Sequence, residues 1–171
     1  MDKDFKILII ILVIVAVLTF SIYKGMPILS AQQAFQKALN DYDQGIVENA
    51  EKIFRLETNN FLSGQFTGSY SPGMEPAAGV TDYPYGWTSL QPFWDANPDY
   101  TPTGLDNFTE NGTGIYKPYI CFPTVEAAIY TVCEKLRLNG NDPGAWFSTD
   151  PTLKANYVAK LNNITPYFSE T

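Results

Sequence analysis

Ile46 to Met74, IVENAEKIFRLETNNFLSGQFTGSYSPGM, is the stretch on which the fold turns. It opens as an amphipathic helix. Ile46, Ala50, Ile53 and Phe54 fall at i, i+4, i+7 and i+8, one stripe of a helical period, while Glu48, Glu51, Lys52 and Arg55 take the other face. The next stripe position, i+11, holds Glu57. At about 100° per residue, Glu57 lies only about 20° around the helix from Ile46. A carboxylate therefore occupies a place that the pattern gives to the core, in the last turn before a loop of Asn, Gly and Ser. A carboxyl held against apolar surface has its charged form disfavoured and its pKa raised, which is what a general acid needs near neutral pH. The bland alternatives are a frayed last turn with its Glu in solvent, or a structural ion pair.

Upstream, Phe5 to Tyr23 reads FKILIIILVIVAVLTFSIY and carries no charge between Lys6 and Lys24. About 20 such residues cross a bilayer as a helix. A cleaved signal peptide would have a shorter apolar run and a small-x-small site, and Ser21 to Gly25 offers none, so a retained anchor is the reading. Lys3 and Lys6 before the span, against Lys24 after it, bias the N-terminus toward the cytoplasm and the rest of the chain outside it. Next, Ser30 reads as the N-cap of a helix over Ala31 to Asp43, with Phe35, Ala38, Leu39 and Tyr42 on its apolar side and Gly45 as its C-cap. Whether this helix is stalk or first domain helix is left open. The expected organisation is a tail over 1–4, a transmembrane anchor over 5–24, a stalk or first helix over 25–45 and one domain over 46–171.

The chain has 171 residues, a net charge of −7 and no His. The negative balance argues against nucleic acid as a partner. The lack of His removes Ser-His and Cys-His nucleophile systems and most catalytic zinc sites, so no metal and no cofactor is expected. Carboxylates, Tyr and Lys remain for acid–base work.

Downstream of Glu57, Gly64 to Gly114 is rich in Gly and Pro and lacks helical periodicity. It carries many aromatics, among them Tyr83, Tyr85, Trp87 and Trp94. Rings with polar edges suit the faces of sugars, and the alternative for most of them is packing of a loop-rich lobe. Asp106 to Tyr119 reads as a hairpin turning at Asn111-Gly112. Between Pro123 and Gly140, Val125, Ala128, Ile129, Val132, Cys133 and Leu136 form the stripe of a helix closed by Gly140. Asp150-Pro151 caps a last helix to Leu161, with Leu153, Tyr157 and Leu161 as its stripe. Cys121 precedes the helix between Pro123 and Gly140, and Cys133 lies on its buried stripe, about ten helical residues on, so they read as two thiols rather than a disulfide.

Several of these segments together resemble a known family. Glu57-Thr58-Asn59-Asn60-Phe61, Ser63, Phe66 and Pro72-Gly73-Met74 are similar to the opening of the flagellar-type endo-β-N-acetylglucosaminidases of the lysozyme-like superfamily, roughly ETG-x-F-x-S and then N-x-F/P-G-M/V. Asn59 replaces the family's Gly; Asn is the next best residue for a left-handed backbone. Glu110-Asn111-Gly112 with Tyr116-Lys117-Pro118-Tyr119 resembles the family's ENG hairpin and its F/Y-R-x-Y. Thr124 to Ala128 resembles its S-x-x-E-A, and Ala155 to Leu161 with Ile164-Thr165 its terminal YA-x-K-L and I. The family's hairpin carboxylate falls on Phe108 here, which leaves Glu110 or Asp106 for that role.

The resemblance spans roughly Ile46 to Tyr167. It implies a mainly α, lysozyme-like domain with a small β-hairpin and loop lobe over a cleft. It also implies cleavage of a β-1,4 bond in peptidoglycan glycan strands, with Glu57 as general acid. Glu110, or the substrate's own N-acetyl group, would supply the second catalytic function. Alternatively Glu57 acts as both acid and base in a lytic transglycosylase. Tyr85, Trp87, Tyr116 and Tyr119 are the expected substrate contacts, with strand packing as the alternative for the last two. A single-pass anchor on such a domain fits an envelope enzyme outside the cytoplasm or a virus-borne lysin in a virion membrane, beside other virion or envelope proteins. The competing class is non-enzymatic: a structural membrane protein that keeps the fold as a wall-binding module.

Overall fold

The computed structural model describes residues 28–109, 114–147 and 149–169. These are mainly helical with one two-stranded sheet. In order they form α1 (28–38), α2 (Gln44–Glu57), α3 (Gly64–Ser69), α4 (Gln91–Ala96), a single 3₁₀ turn (Pro98–Tyr100), β1 (Gly104–Thr109), β2 (Tyr116–Cys121), α5 (Val125–Leu138), α6 (Gly144–Phe147) and α7 (Pro151–Leu161). The expected anchor over 5–24 lies outside the described residues. Among the described residues no helix is long and apolar enough to cross a membrane.

The stripe of α2 packs as its spacing demands: Ile46, Ala50, Ile53 and Phe54 are buried, with Val47 beside them. Full burial of each large side chain contributes roughly 1.5–3 kcal/mol. The first helix joins this core through Ala31, Ala34, Phe35 and Ala38, so it is the first helix of the domain. It ends earlier than its sequence suggested. Gly45 does not cap it but lies in the first turn of α2, where a Cβ would stand 3.3 Å from the Asn141 side chain. The rings of Phe35, Phe54, Phe61 and Phe66 meet at 5.6–6.3 Å, mostly edge to face. All six apolar stripe residues of α5 are buried, and so are Tyr130, Thr131, Glu134 and Lys135, which makes α5 the central helix. Trp94 of α4 is fully buried against it and donates its indole N–H to Thr131 Oγ1 at 3.0 Å. Cys121 and Cys133 are free thiols.

Three positions depart from the sequence reading. Glu51, placed on the polar face of α2, is fully buried, because the C-terminal tail folds over it. Its carboxylate accepts from the backbone N–H groups of Tyr167, Phe168 and Ser169 at 2.8–3.0 Å and from Ser169 Oγ at 2.8 Å. Arg55, one turn on, completes an ion pair at 2.6 Å and lies against the rings of Phe61, Tyr167 and Phe168. Leu153 is half exposed, since only the later turns of α7 reach the core, through Tyr157 and Leu161. The Gly- and Pro-rich region holds short helices, the first started by Ser63, whose hydroxyl accepts from Phe66 N–H.

Two local devices place the end of α2. The Thr58 hydroxyl donates to Phe54 O and accepts from Phe61 N–H at 2.9 Å. Asn59, Asn60 and Phe61 then turn the chain with φ of 49°, 55° and 67°. An aromatic residue in this left-handed region costs roughly 1–2 kcal/mol; burial of the Phe61 ring, stacked on Phe54 and Phe168, offsets it. Opposite, β1 and β2 pair antiparallel from Gly104↔Cys121 to Thr109↔Tyr116. The other edge of β2 holds the segment after α3: Ile120 N–H donates to Met74 O at 2.8 Å and Phe122 N–H to Ser69 O at 2.9 Å. The segment from Ser71 to Met74 is thereby fixed between the hairpin and the end of α2.

Candidate functional site

The end of α2, the 71–75 segment, the hairpin, α5 and α6 enclose an open cleft of about 1010 Å³. Glu57 lies in it, partly buried. Its Oε1 accepts from the Tyr157 hydroxyl at 2.7 Å. Burial holds the Glu57 carboxyl above the usual carboxylate range, and the Tyr157 hydrogen bond and the Lys160 charge pull it part of the way back. Burial and the adjoining Glu57 keep the Tyr157 hydroxyl protonated, so it is a fixed donor. The Tyr157 ring stacks on Phe147 of α6 at 4.7 Å, with only 3° between the planes. Oε2 faces Gly73, which has a φ of 83° and where a Cβ would stand 3.5 Å away. One oxygen of the carboxyl is thus held by a donor and the other borders a residue without a side chain.

Glu75 is the second carboxylate of the cleft lining among the described residues. It is paired with Lys117 of β2 at 3.2 Å, and its backbone carbonyl accepts from the Trp87 indole N–H at 2.9 Å. The aromatic lining is Trp87, Phe108, Tyr119, Trp146 and Phe147. Lys135 of α5 also reaches the cleft although the residue is only 6% exposed. Its ammonium stands 3.8 Å from the Trp87 ring centroid and 4.4 Å from that of Trp146.

No family model, curated protein or solved structure matches this chain. The functional reading rests on the residues of the cleft.

Of the residues singled out in the sequence, the structure brings Glu57, Trp87 and Tyr119 to one cleft. Tyr85 is not part of that lining: it is buried in the core, 6.2 Å from Tyr83, at a φ of 59°. Tyr116 does not line it either. It sits three residues before Tyr119 on β2, so the two project to opposite faces, and Tyr116 is 67% exposed. Asp106 lies opposite Tyr119 in the ladder, is exposed, and is outside the lining. Glu110 lies outside the described residues. Among the described residues no three His, Cys, Asp or Glu gather as a metal site. Sequence reasoning missed Glu75, Lys135 and Trp146, and read Tyr157 only as a core position. Glu75 adjoins the Ser71-to-Met74 segment and Lys135 lies about 20° from Ala128 at the edge of the α5 stripe, so each had a signal, while Trp146 had none.

Proposed function

We propose that this chain is a membrane-anchored glycosidase of lysozyme-like fold that cleaves β-1,4 bonds of peptidoglycan glycan strands, with Glu57 as the general acid. One observation carries the reading: a carboxyl whose pKa burial raises, with its Oε1 fixed by Tyr157, borders an open cleft walled by aromatic rings. A protonated carboxyl can give its proton to the leaving glycosidic oxygen, and the Tyr157 donor then stabilises the carboxylate that forms. The Trp87 and Phe147 rings, partly exposed at the cleft, offer flat apolar faces for sugar rings, whereas Tyr119 is buried in the cleft wall. The domain acts outside the cytoplasm or from a virion membrane, tethered through residues 5–24.

Three routes complete the reaction. A carboxylate activates water on the far side of the sugar, and Glu75 joins Glu110 as a candidate for that role. The substrate's N-acetyl oxygen closes on the anomeric carbon as the leaving group departs. Or the ionised Glu57 takes the proton of the sugar's own 6-hydroxyl, which closes an anhydro ring. The products separate outcomes. The full chain in mild detergent is incubated with peptidoglycan and the fragments are read by mass spectrometry. Reducing-end GlcNAc is expected, as the resemblance implies; reducing-end MurNAc makes it a muramidase and 1,6-anhydro-MurNAc a transglycosylase. Glu57→Gln should lower the rate by about 10²–10⁴. No fragments between pH 4 and 8 from folded protein would overturn the enzymatic reading in favour of a wall-binding protein.

A further inference from the structure

Lys135 is the one basic residue among the described residues that line the cleft, and it lacks a carboxylate partner there. The ion pairs of the described residues engage Lys37, Arg55, Lys117, Arg137 and Lys154 instead. Its hydrogen bond is a long one, 3.5 Å to the Trp146 carbonyl. Removing an ammonium from water costs several kcal/mol. Two indole faces return roughly 0.5–2 kcal/mol each. The balance is incomplete, and burial pushes the Lys135 ammonium down to about 7. The side chain is nevertheless held in place. The Trp87 indole N–H is tied to Glu75 O, so the ring over the ammonium is fixed by the cleft wall itself. What such a cation lacks is an anion, and the open side of the site is the cleft.

We propose that Lys135, held between Trp87 and Trp146, binds a carboxylate of the ligand, namely an acidic residue of the peptide stem attached to the glycan. The other charged side chains of the described lining are carboxyls, Glu57 and the Lys117-paired Glu75, so Lys135 gives an anionic group its favourable position in the cleft. The cleft would then read the peptide as well as the sugar, and bare glycan would bind less tightly than stem-bearing glycan. This rests on the reading of the cleft as a peptidoglycan site.

The test compares two ligands that differ by one charge: N-acetylmuramyl-L-alanyl-D-isoglutamine and the same compound with its free carboxyl amidated. Binding to the full chain in detergent is followed by tryptophan fluorescence at pH 6, where Lys135 is charged. A charge-assisted contact at a desolvated site predicts about tenfold tighter binding of the acid. Lys135→Met should bind both compounds equally, at the affinity of the amide. Equal binding of the two by the unaltered protein overturns the proposal, whether or not the variant folds. So does a tenfold preference that survives in a folded Lys135→Met, or no binding of either compound. Peptidoglycan digestion run alongside keeps the two conclusions apart. Preference for the acid without cleavage supports the carboxylate site and removes the enzymatic reading; cleavage without preference overturns the carboxylate site alone.

Discussion

Replacing Glu51 with Ala is the most direct probe of how α2 is held. The carboxylate is fully buried and receives three backbone N–H groups, the Ser169 hydroxyl and the Arg55 guanidinium. Leaving a single buried donor without an acceptor costs about 1–3 kcal/mol. Five such losses do not add in full, because the tail can lift away and hydrate its N–H groups. The loss is then bounded by what the docked tail contributes, chiefly the Phe168 ring stacked 5.6 Å from Phe61, together with the orphaned Arg55 charge. Removing one partner of a buried ion pair costs about 3–5 kcal/mol, and we expect Glu51→Ala at the lower end of that range. Urea unfolding followed by circular dichroism measures it, as a lower midpoint at a similar slope. Limited proteolysis should then cut residues 165–169 in the variant under conditions that spare the unaltered chain. A loss below about 1 kcal/mol would show that the tail is not clamped through Glu51, and the account of a polar residue placed inside the core would fall.

Two further predictions concern Glu57. Its folded-state pKa is raised, so the stability linked to it is full below the ordinary carboxylate range and is lost as pH rises through the folded value; Glu57→Gln should therefore raise the melting temperature at pH 8 and change it little at pH 4. A variant that melts no higher than the unaltered protein at pH 8 would contradict the burial cost assigned to this carboxyl. Tyr157→Phe keeps the stack on Phe147 and removes only the hydroxyl that favours the ionised carboxyl; on the proposed reading the alkaline limb of the cleavage profile should move to higher pH, and a move to lower pH would reverse the role given to Tyr157.

The helices that sequence reading located best are those whose signals are local. The Asp150 side chain accepts from Thr152 and Leu153 N–H ahead of Pro151, as its position suggested. The stripe of α5 is buried from Val125 to Leu136. Asn59 adopts the left-handed backbone that its match to a family glycine implied. Glu57 reaches a cleft because a carboxyl on an apolar stripe has few other places to go. What the sequence concealed depends on partners far along the chain. Glu51 looks like a solvent residue until the tail arrives. Lys135 lies seven residues after Ala128, about 20° from it at the edge of the α5 stripe; its setting is made by Trp87 and Trp146, which the chain brings in from two other segments. Tyr85 and Trp87 share a turn motif, yet one turns inward and the other to the cleft, and composition cannot separate them.

Two carboxyls of α2, Glu51 and Glu57, receive donors from residues 157–169. Glu57 meets its donor 100 residues later, and Glu51 meets Ser169 118 residues later. During synthesis from the N-terminus, α2 and its Glu51–Arg55 pair can form early, but neither carboxyl has its donors from residues 157–169 until that segment has left the ribosome. The Glu57–Tyr157 pair therefore forms late, and a chain ended before Tyr157 carries Glu57 without the hydroxyl that holds it. On the proposed reading, in which the cleft acts on the envelope, the order of synthesis itself delays a competent site until Tyr157 has emerged.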